Sequence, residues 1–256
     1  MRPSVFRCVL GGLLVLGGQA AAATVEEVVA KNLRARGGEE AIQAVESVRM
    51  SGTMRMGGAA AGAVEVPFTA EFKRPARIRM EFSMQGMTAI QAYDGTVGWS
   101  VMPFLGKTEP EEMPEDQLKD IKVQADFDGL LVNYKKKGHA IELVGEEDVD
   151  GTSAFKLKVT KANGDVVNLY LDQEHCIEFR SDTKRMVQGN EIEIVTHYKD
   201  YKKIDGLLFA HLMEMSFQGN PAGQVITLNT IELGVDLADD RFTMPAKKTG
   251  KETPSE

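Results

Sequence analysis

The feature that most limits what this chain can fold into is a strict two-residue alternation that begins at Val48. Val48, Met50, Gly52, Met54 and Met56 are apolar or small, while Arg49, Ser51, Thr53 and Arg55 between them are polar. The pattern returns in Val64, Val66, Phe68, Ala70 and Phe72 against Glu65, Thr69 and Glu71. It returns again in Ile78, Met80, Phe82 and Met84 against Arg77, Arg79, Glu81 and Ser83. Successive side chains of an extended strand point to opposite faces, so these runs predict antiparallel strands with one greasy face and one wet face. Arg49, Arg55, Arg77 and Arg79 all belong to the predicted wet face.

Turn signals divide the rest of the chain at hairpin spacing. Lys73–Ala76 separates the second and third strands, and Tyr93-Asp94-Gly95-Thr96 leads into a strand carrying Val97, Trp99 and Val101. Pro103 to Pro114 reads as a polar loop. Further strands are expected at His139–Glu146, Ser153–Thr160, Asp165–Asp172, Cys176–Asp182, Glu191–Tyr198, Leu207–Phe217 and Val225–Leu233, with Asp-Gly, Asn-Gly and Gly-Asn turns between them. Helices are few. Thr24 and Glu27 fit a capping box ahead of the apolar stripe Val25, Val28, Val29 and Leu33. Gly37-Gly38 stops that helix, and Ala41, Ile42 and Val45 continue on a short second one. A third helix starts at Pro114 with Leu118 and Ile121 on one side, and a further short helix is expected over Phe127–Tyr134. No internal repeat and no linker divides the chain.

The ends set the expected compartment. Arg2 and Arg7 precede the apolar run Val9–Leu16, and the small residues Ala20 to Ala23 follow, so residues 1–23 read as a cleaved secretory signal. Residues 24–246 are expected to form one domain, and 247–256 a disordered polar tail. Cys8 lies before the apolar run and does not fit a lipidation site, which leaves Cys176 as the single mature cysteine, with no internal disulfide. The net charge of −8 argues against nucleic acid as partner, because phosphate binding needs clustered cations.

Catalytic signatures are missing from the sequence. It has no G-x-S-x-G elbow, no P-loop and no H-E-x-x-H, and His139, His175, His197 and His211 are isolated from one another. Cys176 reads as an inert buried thiol. Neither an enzymatic activity nor a metal or other cofactor is expected. The informative residue is methionine: of 13, Met50, Met54, Met56, Met80, Met84, Met87, Met102, Met213 and Met215 fall in the expected sheet. Methionine is flexible and polarisable and suits surfaces that adapt to ligands of varied shape. A large apolar sheet face with few helices to cover it leaves room for something greasy.

Several segments resemble the outer-membrane lipoprotein-sorting protein family, akin to the LolA carrier and the LolB receptor. ARGGEEAIQAVESVRMSGTM is similar to that family's opening helix, Gly-Gly cap and first strand. AYDGTVGWSVMP resembles its D-G…W hairpin, and the stretch from Asn133 to Cys176 its central hairpins. HYKDYKKIDGLLFAH and DDRFTMP look like its later and closing motifs. The resemblance implies an incomplete β-barrel of about eleven strands, closed by helices over an apolar cavity. It also implies a soluble periplasmic carrier or binder of lipid acyl chains or lipoproteins, with a membrane donor or acceptor protein as possible partner. The alternative is a protein-binding sensor or scaffold of the cell envelope with the same fold.

The sequence therefore predicts an α+β protein: a strongly curved antiparallel sheet whose concave apolar face is covered by helices. Met50, Met54, Phe68, Ile78, Met80, Phe82 and Met84 are expected to line the lipid-binding cavity, with Trp99 flanking its mouth and Leu118 and Ile121 on the covering helix.

Overall fold

The computed structural model describes residues 23–57, 62–187, 190–217 and 220–246. The expected signal segment and polar tail lie outside the described residues, except for Ala23. Among the described residues there are three α-helices: α1 (Val25–Ala35), α2 (Glu39–Gln43) and α3 (Glu115–Gln124). The strands are β1 (Ser47–Met56), β2 (Val64–Lys73), β3 (Arg77–Met84), β4 (Met87–Tyr93), β5 (Gly98–Met102), β6 (Lys107–Glu112), β7 (Ala140–Val149), β8 (Thr152–Thr160), β9 (Val166–Asp172), β10 (Glu178–Val187), β11 (Asn190–Ile204), β12 (Leu207–Phe217) and β13 (Asn220–Leu233). No helix among the described residues is long and apolar enough to cross a membrane.

All thirteen strands join one sheet in the order β6-β5-β4-β3-β2-β1-β13-β12-β11-β10-β9-β8-β7. Every pairing is antiparallel. The sheet stays open and curls as an incomplete barrel around its helices. It has more strands than the sequence patterns suggested. The segment Lys107–Glu112, read as a loop, is the edge strand β6 and pairs with β5. Its charges and Pro110 hide it from a hydrophobic pattern, and the same features discourage a further strand from adding to an edge. Residues 126–138 form turns instead of the expected helix over Phe127–Tyr134. Leu131 and Val132 are nonetheless fully buried there, anchoring the turns on the core.

The helices cover opposite ends of the concave face. Thr24 caps α1 through the reciprocal bonds of a capping box, its backbone amide donating to Glu27 Oε2 at 2.8 Å. Val28, Val29 and Leu33 of α1 pack on Leu157, Val159, Leu169 and Leu171 of β8 and β9. At the other end Leu118 and Ile121 of α3 pack over Ile78 and Tyr93 of β3 and β4. The helix approaches the sheet closely at Gly98, where a Cβ would meet the tips of the Leu118 and Met113 side chains at 2.8 and 3.2 Å.

Candidate functional site

Registers across the sheet define one continuous face. Val48, Phe72, Ile78 and Tyr93 stand in one row across β1 to β4, and Met50, Ala70, Met80 and Gln91 in the next. Gly52, Phe68, Phe82 and Ala89 follow, then Met54 and Val66. Beyond β1 the same face continues through Ile226 and Met213, because Met54 pairs with Ile226 and Ile226 with Met213. Met50, Met54, Phe68, Met80, Phe82 and Met84 therefore share one side of the sheet, and each is partly exposed. Met213, Met215 and Ile226 extend the surface, which the sequence reading had not placed in the site. The regular Leu207, Phe209, Met213, Met215 spacing of β12 carried that signal.

This face is filled at its ends and open between them. Ile78 is 1% exposed and Ile121 2% exposed, sealed together with Leu118 at the α3 end. Phe127 packs onto Val48, Leu228 and Ile231. The recess bounded by Ile42, Val48, Phe127, Leu207 and Phe209 encloses about 20 Å³, too little for an acyl chain. The partly exposed surface is the stretch from Phe82 and Phe68 through Met54 to Met213 and Met215. None of these side chains is among those that pack with α1 or α3, and the stretch is termed the trough. Phe68 and Phe82 form a tilted aromatic pair on it, with ring centroids 6.4 Å apart.

Trp99 has a different position from the one expected. Trp99 pairs with Ala92, Ala92 with Arg79 and Arg79 with Glu71, which places it on the convex face. Its indole Nε1 donates to the Phe242 carbonyl at 2.7 Å, and both residues are buried. The expectation that it flanks the trough's mouth is thus corrected. The closing segment around Asp239–Phe242 clasps this face. Asp239 meets Lys73 and Arg77 at 2.6 Å, and Arg241 meets the buried Glu71 at 2.7 Å. Arg49 holds the other Glu71 oxygen at 3.0 Å. Glu71 is therefore buried on the convex face, where alternation alone predicts exposure.

Arg74, between β2 and β3, ties the covers down. Its guanidinium donates to both oxygens of Asp128, at 2.7 and 3.0 Å, and to the carbonyls of Val45 and Ile42. It also lies 4.8 Å from the centre of the Phe127 ring. One side chain thus joins the β2–β3 turn, the segment after α2 and the turn after α3. Cys176 is buried, and burial raises its thiol pKa, in keeping with an unreactive group.

No protein-family model matches the chain, and no curated protein matches it in sequence. Solved structures do. A LolA superfamily protein from Nitrosomonas europaea superposes with a TM-score of 0.61 at 15% identity, over 87% of this chain and 98% of its own. The chain has the LolA fold. A DUF1329 family protein from Desulfovibrio piger aligns equally well, with a TM-score of 0.61 at 14% identity over 87% of this chain and 98% of the other. A domain described as an outer membrane lipoprotein-sorting protein, from Vibrio parahaemolyticus, gives a TM-score of 0.55 at 12% identity over 84% of this chain and 97% of its own. The LolA fold accounts for the open sheet and its helical covers; the side chains on the trough are this chain's own.

Proposed function

We propose that the protein is a soluble periplasmic carrier or binding protein that shelters lipid acyl chains, free or on lipoproteins, along the open trough of its LolA-fold sheet. The observation that carries this reading is the unbroken run of Phe82, Phe68, Met54, Ile226 and Met213 on one sheet face, partly exposed and left uncovered by the helices. Water on such a surface is displaced by a hydrocarbon chain at about 0.8 kcal/mol per buried methylene. Methionine side chains adjust to chains of different length and branching. The signal-like residues 1–23 support delivery to the periplasm, and the lipoprotein-sorting description of the Vibrio parahaemolyticus domain supports the cargo class. Membrane donor and acceptor proteins would load and unload such a carrier.

The test compares changes on the two faces of the same sheet. Phe82→Asp or Met80→Asp puts a carboxylate into the trough, whereas Arg55→Ala alters an exposed residue on the convex side beside Met54. Binding of a fluorescent acyl probe is expected to weaken at least about tenfold in the aspartate variants, the penalty of about 1.4 kcal/mol or more for placing a charge against the chain. Arg55→Ala is expected to bind as the native protein does. Equal binding by all three variants, each folded by circular dichroism, refutes the assignment of the trough.

A further inference from the structure

Hydroxyl side chains break the greasy surface of the trough on β10 and β11. Ser181 stands opposite Thr196, Thr196 opposite Met215, and Tyr198 opposite Met213. Met213 leads through Ile226 to Met54, so these hydroxyl residues share the face of the proposed acyl site. At about 4.8 Å per strand, Tyr198 on β11 is about 14 Å across the sheet from Met54 on β1, a span on the scale of an acyl chain. The Ser181 and Tyr198 oxygens are 3.0 Å apart. Two hydroxyls carry two hydrogens, and their mutual bond uses one. Among the described residues neither oxygen has another hydrogen-bond partner, so one hydrogen remains to be donated. Burial raises the Tyr198 pKa and keeps that phenol protonated.

We propose that Ser181 and Tyr198 recognise the neutral carbonyl of an ester- or amide-linked acyl chain, orienting its hydrocarbon toward Met213 and Met54. This rests on the acyl-binding reading and narrows it to linked chains. A carbonyl oxygen accepts the spare hydrogen and brings no charge into the trough. An ionised carboxylate would enter the same place without a cation from Ser181, Thr196, Tyr198 or Met213, an unfavourable exchange for its water. An ether-linked chain lacks the acceptor altogether.

The experiment is calorimetric titration of the mature full-length protein at pH 8 with 1-monolauroylglycerol, 1-O-dodecylglycerol and laurate. The ester is expected to bind about fivefold more tightly than the ether, the worth of one neutral hydrogen bond, and laurate more weakly than the ester. In the Ser181→Ala/Tyr198→Phe double variant the ester is expected to fall to the ether's affinity, with the ether unchanged. Equal binding of ester and ether by the native protein overturns the carbonyl assignment while leaving acyl binding standing. So does tighter binding of laurate, or an ester preference that survives in the double variant. If none of the three ligands binds the native protein, the acyl-binding reading itself fails. The native comparison needs no substitution and decides the matter even if the double variant misfolds.

Discussion

Replacing Arg74 by methionine, similar in length and uncharged, removes the guanidinium bonds that tie Asp128, Ile42 and Val45 to the β2–β3 turn. The Asp128 side chain is 6% exposed and receives both guanidinium bonds, so deleting the arginine strands a buried carboxylate. The carbonyls of Ile42 and Val45 lose a donor in the same step. Breaking a buried pair by removing one partner costs about 3–5 kcal/mol. At about 2–4 °C per kcal/mol for a domain of this size, the thermal midpoint is expected to fall by about 6–20 °C. Asp128→Asn is expected to be milder. The 23% exposure of the Arg74 side chain lets water solvate the orphaned guanidinium, which keeps its two carbonyl acceptors. In Arg74→Met/Asp128→Leu no charge is left buried, so much of the loss should be recovered. Differential scanning calorimetry of the native protein, Arg74→Met, Asp128→Leu and Arg74→Met/Asp128→Leu completes a double-mutant cycle. An unchanged midpoint in Arg74→Met, or a double variant as unstable as Arg74→Met, refutes the claim that this pair holds the covers down.

Two further outcomes follow from the geometry. Phe242→Ala empties a fully buried site beside Trp99, which should destabilise the protein by about 3–5 kcal/mol. Trp99 is the only tryptophan, so its emission should shift to the red at lower urea than in the native protein; an unshifted transition would contradict the clasp. At the start of α1, the Thr24 backbone amide and hydroxyl both lower the Glu27 pKa. The stabilisation linked to this is present above the ordinary glutamate range and is lost as pH falls through the folded-state value. A nuclear magnetic resonance titration should show Glu27 ionising below that range and Thr24→Ala moving it part of the way back, the backbone bond remaining.

The local structure was largely legible in the sequence. Alternation announces strands wherever one face is dry, as in β1 to β3, and the Thr24–Glu27 spacing announces the cap. Pairings between distant segments were not. Arg74 and Asp128 meet across a separation of 54 residues, and nothing near either one reveals the other. Trp99 sits among alternating residues whose phase is clear only once the β4–β5 register is known. Glu71 reads as wet because alternation reports which side of a strand a residue occupies, and the closing segment that buries it lies 170 residues away. The Ser181–Tyr198 pair escaped notice because hydroxyls within strands are unremarkable until a register sets them among methionines.

One property of the strand order bears on how the protein is made. Neighbours in the sheet are neighbours in the chain everywhere except at a single seam, where β1 joins β13 and Val48 pairs with Leu233. Glycine is needed on that seam, since a Cβ at Gly52 would collide with the Thr227 carbonyl. Two zigzag ribbons can thus assemble from local hairpins as the polypeptide emerges, but the joint between them waits until β13 has been made. Until then the free edge of β1 and the methionine side of both ribbons stay bare, so the folding chain has a window in which a holdase would protect it from aggregation.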